Sequence, residues 1–201
     1  MTPVGQIERI TQDRIISLFV DKSKLGYDYL GNWHDRINNI NIEEEYLRKY
    51  LVENGYNDTL INKAIAELRK IAGVQNKGLY DINKDVYTIL RYGAKVKEDV
   101  GENTQTVRLI DWANPLNNHF AIAEEVSIKG ENQKRPDIVI YVNGIALGVL
   151  ELKRSTVSVT EGIRQNIGNQ KSMFIMPFFA TVQLIMAGND TEGLRYGVIL
   201  T

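Results

Sequence analysis

Apolar side chains in the first half of this chain recur with the 3.6-residue period of a helix. Across residues 6–20, Ile7, Ile10, Ile15, Leu18 and Phe19 fall at roughly that spacing. The glycine- and tyrosine-rich LGYDYLGNW of residues 25–33 reads as a turn that closes this segment. Residues 42–53 put Tyr46, Leu47, Tyr50 and Leu51 on one face and stop at Asn54-Gly55. Asp58 or Thr59 can cap a third helix that runs to residue 72 with Leu60, Ile61, Ala64, Ile65, Leu68 and Ile71 inward. The pattern predicts a fourth helix over residues 83–92.

The period then shortens to that of strands. Residues 94–98 and 104–110 flank the polar turn VGEN and predict a hairpin. Further strands are predicted at 120–129, 137–142, 145–153, 181–187 and 194–200, with a helix over 160–171 between two of them. Helices first, then strands with one inserted helix, predict a mixed α/β fold rather than a regular βαβ repeat. No repeat or linker interrupts the pattern, so residues 1–201 are expected to form a single domain. The last residues, RYGVILT, read as an apolar strand with no polar cap, and the expectation is that a longer chain continues beyond them.

Composition removes whole classes of chemistry. There is no cysteine, which excludes disulfides, thiol nucleophiles and Cys-bound zinc or iron–sulfur clusters. Two histidines, His34 and His119, are too few for a histidine-rich metal centre. Any reaction must therefore run on carboxylates, lysines, hydroxyls and amides. With 43% hydrophobic residues the chain can bury a core, and its apolar runs are strand-sized, so neither disorder nor a membrane span is expected. No signal peptide opens the sequence, and the expected compartment is the cytoplasm. The net charge of −1 gives no overall nucleic-acid footprint, but residues 129–171 carry seven basic side chains against four acids.

That segment holds the candidate chemistry. In RPDIVIYVNGIALGVLELKRS, Asp137, Glu151 and Lys153 interrupt two apolar strands, where an unpaired charge is costly. Glu151 and Lys153, two apart on a strand, point to one face. Carboxylates from two neighbouring strands suit Mg²⁺, a hard cation that takes oxygen ligands and keeps sites for water and phosphate. The spacing sets a condition. A strict two-residue turn at Asn143-Gly144 with regular pairing sets Asp137 opposite Leu150 and sends Glu151 to the other face. An offset of one residue, from a three-residue loop or a bulge near Gly148, restores Asp137, Val149, Glu151 and Lys153 to one face.

Pro136-Asp137, thirteen residues, then Glu151-Leu152-Lys153 matches the signature of PD-(D/E)XK nucleases. The longer string KRPDIVIYVNGIALGVLELKRS, followed by EGIRQNIGNQK, resembles the N-terminal nuclease domain of the R subunit of type I restriction-modification enzymes. LIDW, NHFAIAEEV, QLIMAGN and LRYGVILT extend the resemblance over most of the chain. It implies an α/β, restriction-endonuclease-like core, a mixed twisted sheet flanked by helices, preceded by a mainly helical N-terminal half. It implies Mg²⁺-dependent cleavage of double-stranded DNA, with Mn²⁺ able to substitute. Asp137, Glu151 and the Leu152 carbonyl would hold the metal, and Lys153 would act on the attacking water. Of the family's Gln-x-x-x-Tyr, Gln165 is present and Asn169 replaces the tyrosine. Glu8 is the candidate for a further acid from the first helix. Arg135, Arg154, Arg164 and Asn169 are candidates for DNA contacts. ATP would drive a motor beyond Thr201, since no phosphate-binding loop occurs here. The partners implied are methyltransferase and specificity subunits in separate chains.

Two other settings fit the same residues: a free-standing repair nuclease or resolvase, and a non-catalytic module in which the triad is an ion-pair network. Glu124-Glu125 reads as a solvated strand end, with a distant metal role as the alternative.

Overall fold

The computed structural model describes residues 4–199, with side chains from residue 8 onward. Its centre is a six-stranded mixed sheet. In spatial order the strands are β1 (Asp28–Asn32), β4 (Phe120–Glu124), β5 (Ile138–Val142), β6 (Ile145–Leu152), β7 (Leu184–Asn189) and β8 (Gly193–Gly197). β1 runs parallel to β4 and β6 parallel to β7, while the other neighbours are antiparallel. β2 (Ala94–Val96) and β3 (Gln105–Val107) form the separate predicted hairpin. Five α-helices accompany these strands: α1 (Val4–Val20), α2 (Glu44–Glu53), α3 (Asp58–Ala72), α4 (Leu79–Tyr92) and α5 (Val159–Asn169). Among the described residues no helix is long and apolar enough to cross a membrane.

The departures from the predicted elements have local causes. Residues 28–32, read as part of a turn, form the edge strand β1. Its residues are mostly exposed and show no alternation, and Gly31 at φ 114° supplies the turn-like signal within it. The side chain of Asn57, not Asp58 or Thr59, caps α3 by accepting the Leu60 N–H at 3.0 Å. Helix α4 starts four residues early, directly after Gly78. Strand β4 stops at Glu124 because Glu125 turns to φ 51°. Residues 200 and 201, at the end of the last predicted strand, lie outside the described residues.

Helices α1 and α5 take opposite faces of the sheet. Ile15, Ile16, Phe19 and Val20 of α1 pack on Ile138, Leu150, Leu152 and Met186. The α5 helix crosses Glu151, Lys153 and Ala187, which alternate with those residues along their strands. Helices α2, α3 and α4 enclose a second apolar cluster with Leu47, Ile61, Leu68 and Val86 at its centre. This second cluster reaches the sheet beside the β5–β6 turn, through Ile145. There Gly144, at φ +79°, lies so close to α2 that an added Cβ would come 2.5 Å from the Glu43 carbonyl oxygen. Gly144→Ala is expected to cost about 3 kcal/mol through clash and left-handed strain, lowering the melting temperature by roughly 6–12 °C. An unchanged melt would show that α2 can move aside without penalty.

Candidate active site

The required offset is a bulge. Val142 pairs with Ile145 across a two-residue turn whose residues both have positive φ, 51° at Asn143 and 79° at Gly144. Tyr141 then pairs with Ala146 and Ile140 with Gly148, leaving Leu147 as the extra residue. Beyond it Val139 faces Val149 and Ile138 faces Leu150. The next positions, Asp137 and Glu151, therefore converge on one face. Gly148 suits its place beside the bulge, since an added Cβ would stand 3.2 Å from the Ile140 side chain.

Hydrogen bonds complete the geometry. The Leu152 N–H donates to Asp137 Oδ2 at 2.6 Å. Lys153 Nζ donates to Glu151 Oε1 at 2.7 Å and to Gln165 Oε1 at 2.8 Å. Gln165 reaches the site because α5 lies close to β6. Its Gly162 has no side chain to hold the helix away, and a Cβ there would stand 3.1 Å from that of Ala187 and 3.5 Å from Glu151 Cγ. Ser158 caps the helix by accepting the Thr160 N–H, and Asn166 donates to the Met186 carbonyl at 2.9 Å. Asp137, Glu151, Lys153 and Gln165, scattered over 29 positions of sequence, thus form one connected group.

Electrostatically the group sets two buried acids beside one ammonium. Burial, reinforced by the Glu151 charge, pushes the Asp137 carboxyl up to about 8. Burial also raises the Glu151 carboxyl, against the pull of Lys153. Burial disfavours the Lys153 ammonium, but Glu151 outweighs that and holds it charged. Glu151 is 2% exposed, and its second oxygen, Oε2, has no hydrogen-bond partner. A buried, unpartnered carboxylate oxygen beside a second acid fits the donor set of a hard divalent cation. Among the described residues no three His, Cys, Asp or Glu side chains form a metal cage unaided. Two acids and a backbone carbonyl, completed by water and substrate oxygens, are the donor set on offer.

The remaining predicted residues fall in different places. Glu8 is half-buried on α1, and its charge acts on both Glu151 and Lys153, which places it at the rim of the group. Arg135 is exposed and paired with Glu125 at 2.7 Å, while Arg164 is exposed and paired with Glu161. Arg154 is half-buried directly after Lys153. Asn169 corrects the expected DNA contact. It is 1% exposed, faces the interior, and its Nδ2 lacks a partner, so it offers nothing to a ligand on the surface.

Glu124 and Glu125 also depart from the expected solvated strand end. Glu124 is 3% exposed and holds three side chains from α1 and β1. Glu125 donates its N–H to the Asp137 carbonyl at 2.9 Å, and its charge reaches Asp137 and Glu151. Local sequence carries no signal for either, because their partners are remote.

A family model described as the type I restriction enzyme R protein N terminus matches residues 6–199. Among curated proteins, the putative type I restriction enzyme MjaIXP endonuclease subunit of Methanocaldococcus jannaschii is 28% identical over 140 residues, 67% of this chain and 13% of that protein. The type I restriction enzyme SsaAORF53P endonuclease subunit of Staphylococcus saprophyticus is 26% identical over 135 residues, 67% of this chain and 14% of that protein. The putative MjaVIIIP endonuclease subunit of M. jannaschii is 33% identical over 100 residues, 49% of this chain and 9% of that protein. The matched part of this chain thus corresponds to about a seventh or less of each relative's length.

Proposed function

The chain belongs to the family of type I restriction enzyme R protein N termini, and from that membership we propose that it is the nuclease domain of such a subunit, built on a PD-(D/E)XK core. The observation that carries this reading is the convergence of Asp137 and Glu151 across the Leu147 bulge with Lys153 hydrogen-bonded alongside. The substrate is double-stranded DNA, held through its backbone, with target reading left to a specificity subunit. The assembly includes that subunit and a methyltransferase subunit in the cytoplasm. An ATP-driven motor lies outside these 201 residues, and cleavage follows translocation in the full complex.

Asp137, Glu151 and the Leu152 carbonyl would hold Mg²⁺, or Mn²⁺ in its place. When bound, the cation supplies Lewis-acid polarisation of the scissile phosphate. Lys153 places an ammonium beside the two acids, where it can hold a water in line with the phosphorus and offset charge on the phosphate oxygens. Gln165 fixes the direction of that ammonium by accepting one of its protons. Arg154 and, after release from Glu125 and Glu161, Arg135 and Arg164 can contact DNA phosphates.

Calorimetric titration with Mn²⁺ tests the reading directly. Saturable binding is expected, weakened at least about tenfold in Asp137→Asn and in Glu151→Gln. Absence of binding in the wild type would favour a docking module with a relic ion-pair network.

A further inference from the structure

The two halves of α1 are held to the sheet by different forces. In the second half, Ile15, Ile16, Phe19 and Val20 bury apolar surface on Ile138, Leu150, Leu152 and Met186. In the first half, the half that carries Glu8, Ile10 is 64% exposed, and among the described side chains, from residue 8 onward, the buried ones are Thr11 and Gln12. Beneath the helix, between Leu18, Leu150, Met186 and Leu194, a cavity of about 270 Å³ leaves the apolar packing incomplete. Among the described side chains of the front of α1, the contacts to the sheet are polar, made by Arg9, Thr11, Gln12 and Arg14.

The main clasp is Glu124, at the end of β4. Its carboxylate accepts two bonds from Arg9, at 2.8 and 3.2 Å, one from Gln12 Nε2 at 2.9 Å and one from Tyr29 Oη at 2.5 Å. A second clasp at Asp190 accepts from Thr11 at 2.8 Å and from Arg14. Glu124 also adjoins the site by backbone: it pairs with Ile138, and the next residue donates its N–H to the Asp137 carbonyl at 2.9 Å. Arg9 follows Glu8 directly, so the bidentate grip on Arg9 fixes the turn of helix from which Glu8 projects. Burying a carboxylate is costly unless its oxygens are satisfied, and here both are.

We propose that Glu124 is a positioning residue of the nuclease site: by gripping Arg9 and Gln12 it holds the front of α1, and with it Glu8, at the rim beside Glu151 and Lys153. The proposal rests on the nuclease reading above. It makes the site a jaw with α5 on one sheet face and the front of α1 on the other, held by the charge pairing of Glu124 with Arg9.

The test uses the full-length subunit in its assembled complex, with duplex cleavage, ATP hydrolysis and Mn²⁺ affinity measured on each variant. Glu124→Gln removes the negative charge that grips Arg9, and Arg9→Gln does the same from a half-exposed position that leaves the core intact. Each is expected to lower cleavage about tenfold or more with ATP hydrolysis unchanged and Mn²⁺ affinity shifted by the same factor as in Glu8→Gln. In Glu124→Gln/Glu8→Gln the second change is expected to add less than about twofold, because both act through one carboxylate. Multiplicative effects, or full cleavage by Arg9→Gln, would overturn the proposal and leave Glu124 a structural anchor alone. Asp137→Ala is the control for the underlying reading. If it still cleaves, the nuclease assignment fails; if it is dead while Arg9→Gln and Glu8→Gln are active, only the clasp fails.

Discussion

Replacing Asp137, Glu151 or Lys153 by Ala, one at a time, in the assembled enzyme is expected to lower duplex DNA cleavage by about two to four orders of magnitude while ATP hydrolysis continues. The three losses differ in mechanism. Asp137→Ala removes one of the two converging acids and leaves the Leu152 N–H without its acceptor. Glu151→Ala frees Lys153 from its ion pair and removes the oxygen that no other protein group satisfies. Lys153→Ala strands the buried Glu151 carboxylate, which then takes up a proton and ceases to attract a cation. Lys153→Arg should rescue little, since a planar guanidinium cannot take the place of an ammonium held between Glu151 and Gln165. Retained cleavage in all three alanine variants would remove the basis of the assignment.

The second large effect is on stability, measured without divalent metal. The Asp137 carboxyl sits near 8 in the folded chain, against 3.8 for a free carboxyl. Between those values the folded state holds a proton that the unfolded chain has released, so stability falls as pH rises from about 4 to about 8. Below that window both states are protonated and the group contributes nothing; above it the penalty is complete. A shift of this size bounds the penalty at about 6 kcal/mol, and sharing of the proton with Glu151 reduces it to roughly 2. Asp137→Asn keeps an acceptor for the Leu152 N–H and carries no charge. It is expected to melt about 4–8 °C above the wild type at pH 8.5 and at the same temperature at pH 3.5. Mn²⁺, which binds the ionised form, should close the gap at pH 8.5 by raising the wild type. A variant that melts below the wild type at pH 8.5 without metal would mean that Asp137 serves the fold.

What the sequence disclosed, and what it hid, divides along the range of the forces concerned. Helices α2 and α3 were legible because their apolar residues repeat within a few turns. The Glu151–Lys153 pair was legible because strand alternation places residues two apart on one side. Counting residues between Asp137 and Glu151 even demanded an irregularity in the hairpin. Strand β1 was hidden because an exposed edge strand needs no apolar pattern, and DYLGN contains a glycine with a turn-like φ. The burial of Glu124 was hidden for another reason: Arg9, Gln12 and Tyr29 lie 115, 112 and 95 positions away, and nothing local distinguishes a gripped carboxylate from a hydrated one. Asn169 misled in the same way, since helical spacing from Gln165 does not say which way the last turn of α5 faces.

The bulge makes the two arms of the hairpin unequal in their tolerance of length change. Because Leu147 is surplus to the ladder, a deletion of one codon in β6 can be absorbed by drawing that residue into line, and the two acids stay opposite one another. The same deletion in β5 has no spare to draw on and doubles the mismatch, parting the acids. One arm carries slack and the other carries none, so the single-codon deletions this hairpin survives are confined to one side of its turn.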